Sequence, residues 1–324
     1  MRGKRVVVTS VLPVDVRTWL GGGAEIRQPA AGSLGRDELI AALYDADALI
    51  CLLRDRIDED LLEGAPRLGI VANLAVGLDN VDVAACTRRG VAVTNTPDVL
   101  TEATADLTFA LLLAAARRVP EGDALVRGGA WTGWEPGQLL GASVAGRTLG
   151  LVGFGRIGRA VARRARGFGM KILYTAPHTR TTPDAEFAAL DRLLAESDFV
   201  SLHCPLTPAT RHLIGPSQLA AMKRTAILIN TARGPCVDEA ALADALARGV
   251  IAGAGLDVYE DEPRVHPALL AQPRAVLLPH VGSATAHARS EMARLCAENV
   301  VAWLSGRRPP QLVNPAVLER AVRR

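Results

Sequence analysis

The stretch Arg147–Ala160 reads RTLGLVGFGRIGRA and sets Gly153, Gly155 and Gly158 in G-x-G-x-x-G spacing. An apolar run precedes the glycines and an Ala-rich helical pattern follows them. This is the geometry a dinucleotide needs. The first glycine makes the tight turn and the second lets the backbone approach a pyrophosphate. The third lets helix and strand pack closely, while the helix N-terminus faces the phosphate charge. Three glycines alone are a weak signal, but between a strand and a helix they are a strong one.

Short apolar runs alternate with helical patterns on both sides of this stretch, the signature of parallel α/β architecture. After Arg147, strands are predicted at Thr148–Val152, Lys171–Tyr174, Asp198–His203, Ala226–Asn230, Ile251–Leu256 and Ala275–Leu278. Six strands with the glycines after the first make a Rossmann domain. Before Arg147, strands are predicted near Arg5–Thr9, Ala48–Leu53, Gly69–Asn73 and Val91–Thr94, with helices such as Arg36–Tyr44 and Val81–Arg89 between them. A long helix over Ala286–Leu304 is expected to return the chain to the first domain. The helix predicted over Thr101–Arg118 is apolar around most of its circumference and must be buried on several sides. A monomer would struggle to cover it, so a homodimer is expected.

Composition excludes several classes. The 324 residues carry 49% apolar and 22% charged side chains with a net charge of +3, which suits a soluble protein of two domains. Only Lys4, Lys171 and Lys223 are lysines. The arginine excess, beside abundant alanine, reads as coding bias; no basic stripe marks a nucleic-acid surface. The five cysteines are scattered without C-x-x-C spacing, as expected of reduced thiols in the cytoplasm. The run Val6–Val8 is too short for a signal peptide, and no segment approaches the ~20 apolar residues of a membrane span.

In an NAD site an acid about 20 positions beyond the glycines holds the ribose 2′-hydroxyl. Here that position falls near Thr175, and Thr179 and Arg180 follow. A hydroxyl and a guanidinium suit a 2′-phosphate, so NADPH is expected over NADH. Among six histidines, His178 falls in this selectivity loop, and His212, His266 and His287 lack evident acid–base partners. His203 and His280 each end a predicted strand, at the edge where open α/β sheets collect ligands. Spacing does not choose between them.

Five further segments occur in order with the glycines: Asn73–Asn80 (NLAVGLDN), Ile229–Gly234 (INTARG), Gly253–Val258 (GAGLDV), Glu262-Pro263 and Pro279–Ser283 (PHVGS). Together they resemble the D-2-hydroxyacid dehydrogenase family over nearly the whole chain. Trp131–Pro136 (WTGWEP), Leu202–Thr207 (LHCPLT) and Gly282–Thr285 (GSAT) are most similar to its glyoxylate/hydroxypyruvate reductase branch.

The resemblance implies Arg233, Glu262 and His280 as catalytic residues, with Arg233 and His280 also binding substrate. Arg233 would pair with a substrate carboxylate and polarise the neighbouring ketone. His280 would donate a proton as hydride arrives, and Glu262 would orient the ring and favour its charged form. Backbone N–H groups of Val76 and Gly77 would clamp the carboxylate. Cofactor contacts implied, besides the three glycines, are Thr104, Arg156, Ile157, His203, Thr231, Asp257 and Gly282. Trp134 has two readings, reach into a partner subunit's pocket or ordinary packing.

The expected architecture is α/β with two Rossmann-like domains and a cleft between them. A flavodoxin-like substrate domain takes residues 1–98 and 286–324, and an NAD(P)-binding Rossmann domain takes 99–285, with closure hinged near Pro97–Thr101 and Ala284–Ala286. The expected activity is reduction of a small 2-oxo acid, glyoxylate or hydroxypyruvate, by NADPH, without metal. Two alternatives stand: a dehydrogenase for 3-phosphoglycerate or a bulkier acid, and a non-catalytic dinucleotide-sensing scaffold. An added regulatory domain would mark a phosphoglycerate dehydrogenase, and extra docking surface with disordered tails the scaffold; neither is expected here.

Overall fold

The computed structural model describes residues 3–21, 23–178 and 182–321. Thr179 and Arg180, expected at the cofactor, lie outside them. The chain divides into two compact units, Met1–Leu100 with Ala284–Arg324, and Thr101–Ser283.

In the first unit the strands are β1 (Lys4–Val8), β2 (Ala24–Arg27), β3 (Ala48–Cys51), β4 (Ile70–Asn73) and β5 (Ala92–Thr94). They form a parallel sheet in the order β2-β1-β3-β4-β5, the flavodoxin-like order. Every residue of β3 and β4 is buried, as the apolar runs ALIC and IVA require of central parallel strands, with polar Asn73 closing β4. The helix Ala286–Leu304 packs on β3 and β4, burying Met292, Leu295, Cys296 and Val300. Beyond it Asn314 ties down β5, accepting from Val93 N at 2.8 Å and donating to Val91 O at 3.0 Å.

The second unit holds β6 (Thr148–Val152), β7 (Lys171–Thr175), β8 (Glu186–Phe187), β9 (Phe199–Leu202), β10 (Ile227–Asn230), β11 (Gly253–Leu256) and β12 (Ala275–Leu277). The order β12-β11-β10-β9-β6-β7-β8 is that of a Rossmann sheet with one added strand. Alternate residues feed two cores: on β10, Leu228 joins Leu202 and Leu242, while Ile227 and Ile229 join Leu111 and Leu149. Each such side chain contributes roughly 1.5–3 kcal/mol when fully buried.

Two strands, β2 and β8, go beyond the sequence expectation. Both lie at sheet edges, where AEIR and EF lack an apolar run. The argument from the helix Thr101–Arg117 to a dimer fails. Its own unit covers it: Ala105, Phe109, Leu111 and Leu112 are buried, and it packs on β10, β11 and the helix Arg156–Gly167. Gly255 makes the contact close, since a Cβ there would sit 3.2 Å from Leu111 Cβ. The apolar surface lies just after this helix instead. Trp134 is 80% exposed, which rules out packing within its own chain. No described helix is long and apolar enough to cross a membrane.

Candidate active site

The strands of the second unit end along one edge, and the sequence reverses direction across the sheet between β6 and β9. Ligands of open α/β sheets gather there. Gly153 follows β6 with φ +99°, and its N–H donates to Thr175 O at 2.9 Å. A Cβ at Gly153 would lie 2.6 Å from the His203 carbonyl, and one at Gly158 would lie 2.3 Å from Gly153 O. Nothing lies within 4 Å of a Cβ at Gly155, which begins the helix Arg156–Gly167. Two glycines are thus required by the fold, and the third leaves open backbone at a helix N-terminus. These residues fit a dinucleotide pyrophosphate.

The other expected contacts take distinct places. Arg156 is exposed on the first helical turn, Ile157 is half-buried against the core, and Thr175 ends β7. Thr104 is buried beside Gly282, where a Cβ would meet its side chain at 3.5 Å. Thr231 shares a hydroxyl hydrogen bond of 2.8 Å with Thr108. In the first unit, Val76 O accepts from Asn95 Nδ2 and Gly77 O from Asn73 Nδ2, each at 2.8 Å. That turn is held through its carbonyls.

The structure separates the two candidate histidines. His203 follows β9 and bonds Ser201 Oγ through Nε2 at 2.9 Å. Burial pushes its imidazole down to about 3, which favours the neutral ring. His280 follows β12 and holds Glu262 Oε2 through Nδ1 at 2.7 Å. Its side chain and that of Glu262 are 31% and 36% exposed, so the pair is accessible to a ligand.

His280 sits at φ +54°, a left-handed conformation that costs energy in a non-glycine residue. Its neighbours enforce it. Tyr259 Oη donates to Leu278 O at 2.9 Å on one side. On the other, Asp257 accepts the N–H groups of Val281 and Gly282, each at 2.7 Å. Burial raises the Asp257 carboxyl above its ordinary range, against those donors and the nearby His280 charge. Burial and the Asp257 charge push the Tyr259 phenol up to about 12, which keeps it a donor.

Burial also works to raise Glu262. The hydrogen bond and charge of His280, the Tyr259 N–H and the charge of Arg233 outweigh it and hold the carboxyl below its usual range. Arg233 therefore stands within electrostatic reach of the pair. It follows β10 on a turn stapled by buried Asn230, which donates to Arg233 O at 2.9 Å and accepts from Ala232 N at 3.0 Å. The structure thus brings Arg233, Glu262 and His280 together from three strand ends.

Sequence reasoning credits Asp257 with a cofactor contact; its two oxygens serve the backbone after His280. It passes over Tyr259, whose role depends on a carbonyl 19 residues away. It also gives His212 no partner, but Nε2 is paired with Glu260, 48 residues on.

A profile described as the D-isomer specific 2-hydroxyacid dehydrogenase NAD-binding domain matches residues 109–282. A glyoxylate reductase of Korarchaeum cryptofilum is 55% identical over 329 residues, with 97% of each chain covered. The crystal structure of a Thermus thermophilus protein superposes with a TM-score of 0.92 at 49% identity, covering 95% of this chain and 99% of that one. An NADPH-dependent glyoxylate/hydroxypyruvate reductase of Sinorhizobium meliloti, in complex with NADP and malonate, gives 0.86 at 36% identity and 97% coverage of both. The glycine cradle and the joined Arg233, Glu262 and His280 agree with this match: the chain belongs to the D-isomer specific 2-hydroxyacid dehydrogenase family and is an NAD(P)-dependent oxidoreductase.

Proposed function

We propose that the chain reduces small 2-oxo acids, glyoxylate and hydroxypyruvate, to glycolate and D-glycerate. The observation that carries this reading is the 2.7 Å Glu262–His280 pair with the Arg233 charge beside it. When bound, the reduced nicotinamide supplies hydride to the carbonyl carbon. The chain does the rest. Arg233 pairs with the substrate carboxylate through its planar fork. Glu262 holds Nδ1–H of His280, leaving Nε2–H to protonate the carbonyl oxygen. The imidazole leaves the step neutral and Glu262 stays ionised.

The names of the relatives support the substrate class. A panel of glyoxylate, hydroxypyruvate, pyruvate and phenylpyruvate tests it. No NADPH oxidation with any of them would favour the dinucleotide-sensing scaffold instead.

NADPH is the proposed donor because Thr175, at the end of β7, puts no carboxylate where a 2′-phosphate would lie. Replacing Thr175 with Asp is expected to lower kcat/KM for NADPH about tenfold, the effect of ~1.4 kcal/mol of like-charge repulsion. A wild-type preference for NADH in steady-state kinetics would overturn the assignment.

The chain is further proposed to act as a homodimer. Val119, Val126, Trp131, Trp134 and Leu140 are all more than half exposed within one stretch, and the helix Val119–Arg127 buries no residue. Trp134 is then free to reach a partner subunit's pocket. Sedimentation should give twice the 34.2 kDa chain mass, and a monomer would contradict it. The cytoplasm is the proposed location, because the five cysteines are scattered without C-x-x-C spacing.

A further inference from the structure

One buried carboxylate close to the site takes no part in the mechanism above. Glu239 is 5% exposed and begins the helix Glu239–Ala247, capped by Asp238 Oδ1 accepting from Ala241 N at 2.9 Å. Glu239 makes no side-chain ion pair among the described residues. Its two oxygens accept backbone N–H groups instead: Oε1 that of Glu260, and Oε2 that of His266 at 3.1 Å. The contact is reciprocal, because Glu239 N donates to Glu260 Oε2 at 3.1 Å. The other oxygen of Glu260 is held by His212.

Glu260 and His266 are the two ends of the loop that carries Glu262. One side chain thus clamps both ends, and the residue that orients His280 lies between them. The same loop is pressed on the turn that presents Arg233. A Cβ on Gly234 would fall 1.8 Å from the carbonyl atoms of Tyr259, so the two backbones touch with no room for a side chain. Gly234 and Glu239 therefore lock one loop from the same short segment, which begins with Arg233.

We infer that Glu239 is a positioning residue that fixes the Glu262 loop against the Arg233 turn, and so sets the register of the three groups over the substrate. The inference rests on the catalytic reading above. Errors of about 1 Å in such a register cost on the order of 100-fold in rate. A carboxylate suits the task because both its oxygens accept. An amide of the same shape would turn a donor against one of the two N–H groups.

The test is Glu239→Gln assayed with glyoxylate and NADPH, alone and combined with Glu262→Gln. Turnover is expected to fall about 10- to 100-fold while cofactor affinity, read by fluorescence, stays near wild type. A loosened loop weakens the hold of His280 on Glu262, so that carboxyl rises. The acid limb of kcat/KM should therefore move to higher pH. In the Glu262→Gln background the effect of Glu239→Gln should largely vanish, because both act through one group.

An unchanged rate and pH profile in Glu239→Gln would overturn the inference, as would full additivity of the two changes. If Glu239→Gln does not fold, Glu239→Asp decides in the same way: its shorter reach cannot span both N–H groups, so wild-type behaviour there refutes the clamp. Should Glu262→Gln alone leave turnover intact, the catalytic assignment fails rather than the clamp.

Discussion

Replacing His280 with alanine is expected to lower turnover about 10²- to 10⁴-fold, the usual contribution of a positioned general acid. Dinucleotide affinity should barely change. The glycine cradle follows β6 and His280 follows β12, four strand spacings away, or roughly 19 Å at ~4.8 Å each. The His280 side chain holds Glu262 rather than the backbone of Gly153, Gly155 or Gly158. The Val281 and Gly282 N–H groups remain with Asp257, so the loop keeps its anchor.

The substitution has a second signature. Without the imidazole, Glu262 loses its hydrogen bond and nearest positive charge, and burial then raises its carboxyl. The pairing of Glu262 with His280 contributes stability above the ordinary carboxylate range and loses it as pH falls through the depressed value. The variant should accordingly be less stable near neutrality and less sensitive to acid than the wild type. Stopped-flow and equilibrium binding of NADPH would separate proton delivery from binding. Wild-type turnover in the variant would mean that another group delivers the proton.

Arg233→Gln is the other large expected effect, a loss of about 10²–10³ in kcat/KM for glyoxylate, as when a preorganised donor to developing charge is removed. The turn around Arg233 is fixed by Asn230 and by the Gly234 contact, so the guanidinium is delivered on a rigid base. Glutamine offers donors without charge or the planar fork. Lysine would restore charge without bidentate geometry and should recover little. Comparing glyoxylate with an aldehyde that lacks the carboxylate discriminates the role. The loss should be large for the acid and small for the aldehyde; equal losses would remove Arg233 from carboxylate recognition.

Much of this arrangement is legible in the chain because it depends on local chemistry. Gly153 and Gly158 announce themselves since no other residue tolerates +99° or a carbonyl at 2.3 Å. The central strands read clearly because parallel sheets covered on both faces demand continuous apolar runs, such as Ala48–Cys51 and the first three residues of β10. The edge strands β2 and β8 escape because one side of each meets water, and pairing there needs no apolar run. The residues missed at the site share a different property. Tyr259, Glu239 and His212 act on atoms brought near only by the finished fold, so no spacing along the chain marks them. The helix Thr101–Arg117 shows the converse: its apolar circumference is plain, but its partner is the neighbouring sheet rather than a second copy.

The first unit is assembled from both ends of the polypeptide, with Ala286–Leu304 lying on β3 and β4 and Asn314 holding β5. On the ribosome this imposes an order of maturation. At ~5–20 residues per second, the inserted unit emerges whole while the earlier-made sheet still waits for its covering helix. For roughly 10–40 seconds the nascent amino-terminal third keeps that sheet face uncovered, an interval in which chaperones can act on this protein.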